Sequence, residues 1–374
     1  MSSIEVFFQL VRIGLFGSTE SAESILQDDV DWEEIEQLAK EQCVIGLVVE
    51  GMESILSNES KGDVYKPVLK KKVMKFVSTT MRMEQYNIAM NKFIADLISR
   101  MRKNGIEALL LKGQGVAQYY NKPLWRNCGD VDLLLDEENY KRAKEFLVPY
   151  ATSTLPENLY KKHIGMSISR WTVELHGNLR CGYSSRIDNE LDRICDESFA
   201  GSDVSSWMNG KVQVPTLGQV NNVVYVFVHF LNHFYKGGIG IRQICDWCRM
   251  LWSFRDSLDK EMLEMRVKGM GLMSEWRAFG MFAVEFLGMP KEAMPFYVED
   301  EKWKRKARKI LSFILKTGNM GHNRNRTPIG GSLLKRKKRS AIQRVGDLTN
   351  HLMIFPLDTI RFIPSIFVGG LRQK

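Results

Sequence analysis

Two aspartates one residue apart, Asp130 and Asp132, and a glutamate further along, Glu174, are the side chains whose types could do chemistry together. Side chains alternate across a strand. If Asp130-Val131-Asp132 opens a strand, both carboxylates share one face and Val131 and Leu133 take the other. On a second strand, Trp171 to His176, Glu174 shares its face with Thr172 and His176. Should the two strands be neighbours, three carboxylates converge, and their repulsion calls for cations among them. Oxygen ligands suit Mg²⁺, and two such ions can hold the attacking and leaving oxygens of a phosphoryl displacement. The tripeptide alone carries little. Asp29-Val30-Asp31 repeats it ahead of Trp32, where Asp31 followed by Glu34 reads as a capping box.

The elements that must position these groups can be read from the spacing. The apolar run Ile106 to Leu111 predicts a buried strand, Lys112-Gly113-Gln114-Gly115 a turn, and residues 116–120 a short helix. Asp130 to Leu135 predicts a second strand, 137–147 an amphipathic helix, and 171–176 a third strand. Ahead of them, residues 77–104 carry apolar side chains at helical spacing, ended by Asn104-Gly105. Beyond Leu217, helices are predicted at 220–234, 241–254, 261–286 and 300–317, then a polar basic loop over 318–339. The expected fold class is α+β: a small mixed sheet embedded between mainly helical regions. The expected divisions are an N-terminal helical region 1–76, an α/β core 77–215, and a C-terminal helical region 216–374 with a basic loop near 318–340.

This pattern resembles the polymerase-beta-type nucleotidyltransferase superfamily, and within it the poorly characterised bacterial nucleotidyltransferase family proteins. The matching stretches are Leu110-Leu111-Lys112-Gly113, Arg126, Gly129 to Leu134 and Val173-Glu174-Leu175-His176. A helical segment from His229 through Arg242 to Asp246 resembles the downstream region, so the likeness covers roughly residues 80–255. The resemblance implies Mg²⁺-dependent transfer of a nucleotidyl group from a nucleoside triphosphate to an acceptor, which it leaves open among sugar, small molecule, protein and RNA. It implies Asp130, Asp132 and Glu174 as metal ligands and catalytic groups, with Lys112, Gly113, Gln114 and Arg126 on the nucleotide. His176, His229, Arg242 and Asp246 would face the acceptor. The chain departs from the superfamily in having Gln114 where a serine usually follows the glycine. The alternative reading is therefore a catalytically degenerate fold that binds nucleotide or RNA as a regulatory or assembly protein.

Other residues have plainer readings. His229 and His233 are four apart with no glutamate after His229, which suits core or groove histidines better than zinc. Cys245 and Cys248 read as two buried helical thiols, and Arg242 with Asp246 as a helix-surface ion pair.

Composition sets the outer limits. With 53 Lys and Arg against 44 Asp and Glu, the net charge of +9 suits a protein that handles anions. Collagen, coiled coil and wholesale disorder are excluded. No apolar run reaches the roughly 18 residues of a membrane span, and the start, Ile4 to Arg12, reads as an amphipathic helix rather than a signal peptide. Six irregularly spaced cysteines fit a reduced, cytoplasmic compartment. The run Lys335-Arg336-Lys337-Lys338-Arg339 suits a solvated loop, nucleic acid, or peripheral contact with an anionic inner-membrane face. The apolar tail at 360–368, with its basic neighbours, adds to the last of these.

Overall fold

A computed structural model describes residues 2–17, 30–57, 66–319, 321, 323 and 345–371 of the 374. Asp29, the basic run 335–339, most of the expected loop at 318–340 and the side chains of 364–368 lie outside the described residues. The fold is α+β, with one mixed sheet among helices. Its helices are α1 (Ser3–Phe16), α2 (Trp32–Glu41), α3 (Ile45–Ser57), α4 (Lys66–Lys103), α5 (Gly113–Ala117), α6 (Glu137–Leu147), α7 (Ser185–Phe199), α8 (Gln219–Lys236), α9 (Ile241–Phe254), α10 (Lys260–Met270), α11 (Met273–Leu287) and α12 (Glu301–Thr317). Helical residues 345–354 (α13) and α14 (Pro356–Leu371) follow. Among the described residues, no helix is long and apolar enough to cross a membrane.

The chain divides into two compact units, one of residues 1–72, 227–248 and 271–374, the other of 73–226 and 249–270. In the first, α1 and α3 approach to backbone contact: a Cβ on Gly14 would stand 2.2 Å from the Leu47 carbonyl oxygen, and one on Gly51 2.2 Å from that of Leu10. Only glycine fits at either crossing. Elsewhere in that unit aromatic rings pack together, with Phe230 and Phe234 both against Phe279.

The second unit holds the sheet. Its strands are β1 (Leu109–Leu111), β2 (Asp130–Leu134), β3 (Ala151–Thr154), β4 (His163–Ile168), β5 (Trp171–His176), β6 (Val204–Asn209) and β7 (Val212–Leu217), in spatial order β3-β4-β5-β2-β1-β7-β6. β2 lies antiparallel to β1 and parallel to β5. β4–β5 and β6–β7 are hairpins, turned at Ser169 (φ +56°) and Gly210 (φ +62°). Val131, Leu133, Val173 and Leu175 face a core closed by Ile94, Leu97 and Met101 of α4 and by Tyr140 and Ala143 of α6. Burying that face leaves Asp130, Asp132, Glu174 and His176 on the other.

The three predicted strands and the helices at 77–104, 137–147, 220–234, 241–254 and 300–317 are present, most with shifted ends. The short helix starts at Gly113 rather than 116. The helix expected over 261–286 is two: Gly271 (φ +74°) breaks it between α10 and α11. Four strands and α7 have no counterpart in the sequence reading. Edge strand β3 is largely exposed and polar, and edge strand β6 turns Val204 and Met208 to its exposed face, so neither shows the apolar-in, polar-out alternation that marks a strand. Asp31 caps α2 as expected, its Oδ1 accepting from the amides of Glu33 and Glu34.

Candidate active site

The site begins where β1 ends. Lys112 (φ 48°, ψ −144°) and Gly113 (φ 46°) are consecutive residues with positive φ. Glycine adopts that region freely, but lysine there is strained, and such strain concentrates at working sites. The turn sends the chain into α5 and points Lys112 inward. Its ammonium lies 3.0 Å from Asp132 Oδ1, with the lysine side chain 15% exposed and the aspartate's fully buried. A solvated strand-end lysine is therefore not what the fold makes. Burial opposes the ammonium's charge, yet Asp132 foremost, then Tyr225, Asp130 and Glu174, outweigh it and raise its pKa above the usual lysine range.

The two strands carry the carboxylates in register. Asp132 pairs with Glu174, and Asp130 with Thr172, across the β2–β5 ladder. One ligand oxygen from each of Asp130, Asp132 and Glu174 lies within 4.8 Å of the others. This set of oxygens on rigid strands, with Asp130 and Glu174 partly open to solvent, fits a hard divalent cation such as Mg²⁺.

Two residues that the sequence reading missed border the trio. His163, at the start of β4, stands opposite His176 across the hairpin. Its Nε2 lies 3.1 Å from Glu174 Oε2, and the two imidazoles are 4.7 Å apart by ring centroid. His176 Nε2 is 3.0 Å from Asp132 Oδ1 and 3.7 Å from Glu174 Oε2. The signal was present in the alternation of His163-Ile164-Gly165-Met166, whose apolar members are buried, but the glycine weakened it as a strand. Tyr225, buried on α8, is the second: burial pushes its phenol up, Lys112 pulls it down, and Asp132 and Glu174 raise it further. It sits in an almost wholly apolar stretch of helix, where nothing in the sequence marks it.

Gln114 and Arg126 hold the turn from behind. The Gln114 side chain is buried and its amide nitrogen donates to Asn87 Oδ1 at 2.8 Å. Asn87 in turn donates to the carbonyls of Leu124 and Arg126, both at 2.8 Å. The buried Arg126 guanidinium donates to the Asn127 carbonyl at 3.3 Å and lies 2.8 Å from Cys128 Sγ. These contacts tie α4, α5 and the loop before β2 into one support.

The structure brings Lys112, Gly113, Asp130, Asp132, Glu174 and His176 together in one unit. His229, Arg242 and Asp246 belong to the other unit. There His229 Nε2 meets His233 Nε2 at 3.0 Å, and Asp246 is buried rather than on a helix surface. Cys245 and Cys248 are both buried, and burial pushes the Cys245 thiol well up.

A family model described as "Uncharacterised nucleotidyltransferase" matches residues 28–288. No curated protein and no solved structure matches the chain.

Proposed function

Because this chain belongs to the family described as uncharacterised nucleotidyltransferases, we propose that it transfers a nucleotidyl group from a nucleoside triphosphate to an acceptor, with Asp130, Asp132 and Glu174 as the catalytic carboxylates. One observation carries the reading: these three side chains, from two strands in register, bring ligand oxygens within 4.8 Å of one another beside a strained strand-to-helix turn. When bound, Mg²⁺, in a pair of ions, would neutralise phosphate charge and stabilise the oxygens of the displacement. Asp130 and Asp132 supply ligand oxygens from one strand and Glu174 completes the set from the next. The Gly113 turn receives the outer phosphates through its backbone, and Lys112 adds a point charge. Gln114 and Arg126 serve the nucleotide by keeping that turn in place. His176 orients the reacting groups next to Glu174. The catalytic core proposed for this chemistry is 77–215.

A second reading, a nucleotide- or RNA-binding regulatory protein without turnover, is favoured by one contact. Gln114 stands where the superfamily has its serine, and its amide is committed to Asn87.

The deciding experiment incubates the protein with Mg²⁺, each labelled triphosphate and a cell extract, and measures pyrophosphate release and transferred label. Metal-dependent release that is absent in Asp130→Asn supports transfer. Nucleotide binding without pyrophosphate supports the second reading.

A further inference from the structure

Glu174 belongs to two clusters. Besides the aspartates, it has His163 and His176 around it, and one ligand atom from each of these three lies within 4.8 Å of the others. We propose that His163, Glu174 and His176 form a second cation site, selective for a borderline divalent metal of the Zn²⁺ class, sharing Glu174 with the carboxylate trio.

The hairpin builds it. The β4–β5 register sets His163 opposite His176 and Gly165 opposite Glu174, so β4 places no side chain beside the glutamate, and Leu155 Cδ1 stands 3.2 Å from where a Gly165 Cβ would lie. Both imidazoles present Nε2 to the same oxygen: Glu174 Oε2 lies 3.1 Å from one and 3.7 Å from the other. A tetrahedral zinc with bonds of about 2.0–2.1 Å holds its ligand atoms about 3.3–3.4 Å apart. The two observed separations bracket that spacing, and a ring nitrogen of each histidine lies within 4.8 Å of the other, so side-chain adjustment can bring all three ligands onto one ion.

Ligand chemistry separates this set from the trio. Two imidazoles and one carboxylate favour Zn²⁺, Co²⁺ or Ni²⁺ over Mg²⁺, whereas three carboxylates favour the hard ion. All three residues are partly exposed, at 28%, 26% and 15% for the His163, Glu174 and His176 side chains, which leaves a ligand position open to water or substrate. Asp132, although 3.0 Å from His176 Nε2, is also held by Lys112 at 3.0 Å and stays with the trio.

The test uses tag-free, full-length protein stripped of metal by a chelator and titrated with Co²⁺ in Mg²⁺-containing buffer. The expected result is a visible tetrahedral cobalt band saturating at one equivalent and displaced by Zn²⁺. Asp130→Asn keeps the band, and His163→Gln weakens cobalt binding at least tenfold. Zn²⁺ should raise the Tm of the parent and of Asp130→Asn. Absence of the band, its persistence in His163→Gln, or its loss in Asp130→Asn would overturn the proposal. If His163→Gln does not fold, the parent stoichiometry and the Asp130→Asn spectrum decide. Transfer measured with Mg²⁺ alone is a separate readout. Its failure beside an intact cobalt band sinks the nucleotidyltransferase reading and leaves this site standing.

Discussion

The ammonium of Lys112 reaches Oδ1 of Asp132 at 3.0 Å, so the most deeply buried carboxylate of the trio carries its own cation within the fold. Removing one partner of a buried pair leaves the other charge uncompensated, which costs about 3–5 kcal/mol. Lys112→Met should therefore lower stability in chelator by about 3 kcal/mol, and Mg²⁺ should restore part of that loss. Urea denaturation with and without Mg²⁺ measures both. An unchanged midpoint in chelator would mean that Asp132 does not depend on this lysine.

Asp130→Asn removes one of three neighbouring like charges while keeping the side-chain shape. Without metal it should be at least as stable as the parent. The stabilisation that Mg²⁺ and triphosphate give the parent should disappear, and transfer should fall by orders of magnitude. Asp31→Ala is the control, because Asp31 caps α2 in the same Asp-Val-Asp setting. That change should cost about 1 kcal/mol and leave transfer intact. Equal behaviour of the two variants in calorimetry and label transfer would remove Asp130 from the site.

Gln114→Ser restores the residue that the superfamily usually has, but takes the donor away from Asn87 Oδ1. Asn87 is buried, and an orphaned buried acceptor costs about 1–3 kcal/mol. A lower Tm with no gain in pyrophosphate release is the expected outcome. Higher turnover would instead show that a hydroxyl at 114 meets the phosphates directly.

Much of this site was legible because strand alternation is a strict rule. Asp130 and Asp132 share one face of their strand, and Glu174 and His176 one face of theirs, whatever the tertiary structure, and Lys112-Gly113 announces a turn. What the rule cannot supply is which strand lies beside which. His163 matters only because β4 pairs with β5, and that pairing is specified by a hairpin turn at Ser169 that has no glycine to mark it. The burial of Lys112 is unmarked in the sequence for a related reason: it depends on a backbone conformation that lysine rarely adopts. The amphipathic α7, capped by Ser184 with Ile187, Leu191 and Ile194 on its buried side, did carry a readable pattern.

A pH dependence is expected away from the site. Glu275, fully buried on α11, has its carboxyl pushed up to about 8, by burial first and then by Asp358. Tyr235 donates to it at 3.0 Å, and Lys306 lies close enough to feel its charge. The folded state binds the proton more tightly than the unfolded chain. This contribution is complete below the ordinary glutamate range and fades as pH rises toward about 8, by up to about 1.4 kcal/mol per pH unit. Glu275→Gln should flatten that decline in urea midpoints taken from pH 5 to 8. An identical slope in the variant would assign the dependence elsewhere.

The parallel ladder between β2 and β5 has a consequence for the order in which the protein assembles. Parallel neighbours cannot be joined by a tight turn, and here the intervening chain holds α6, β3 and β4. The β4–β5 hairpin, by contrast, closes over only a few residues. Short loops close before long ones. His163, Glu174 and His176 should thus become neighbours while Asp130 and Asp132 are still elsewhere, with the full carboxylate trio arriving last. Pulse-labelled hydrogen exchange during refolding should find the amides of β4 and β5 protected ahead of the Val131 amide on β2. The same sequence run backwards makes the Asp132–Glu174 seam the place where the site comes apart, before the hairpin beside it does.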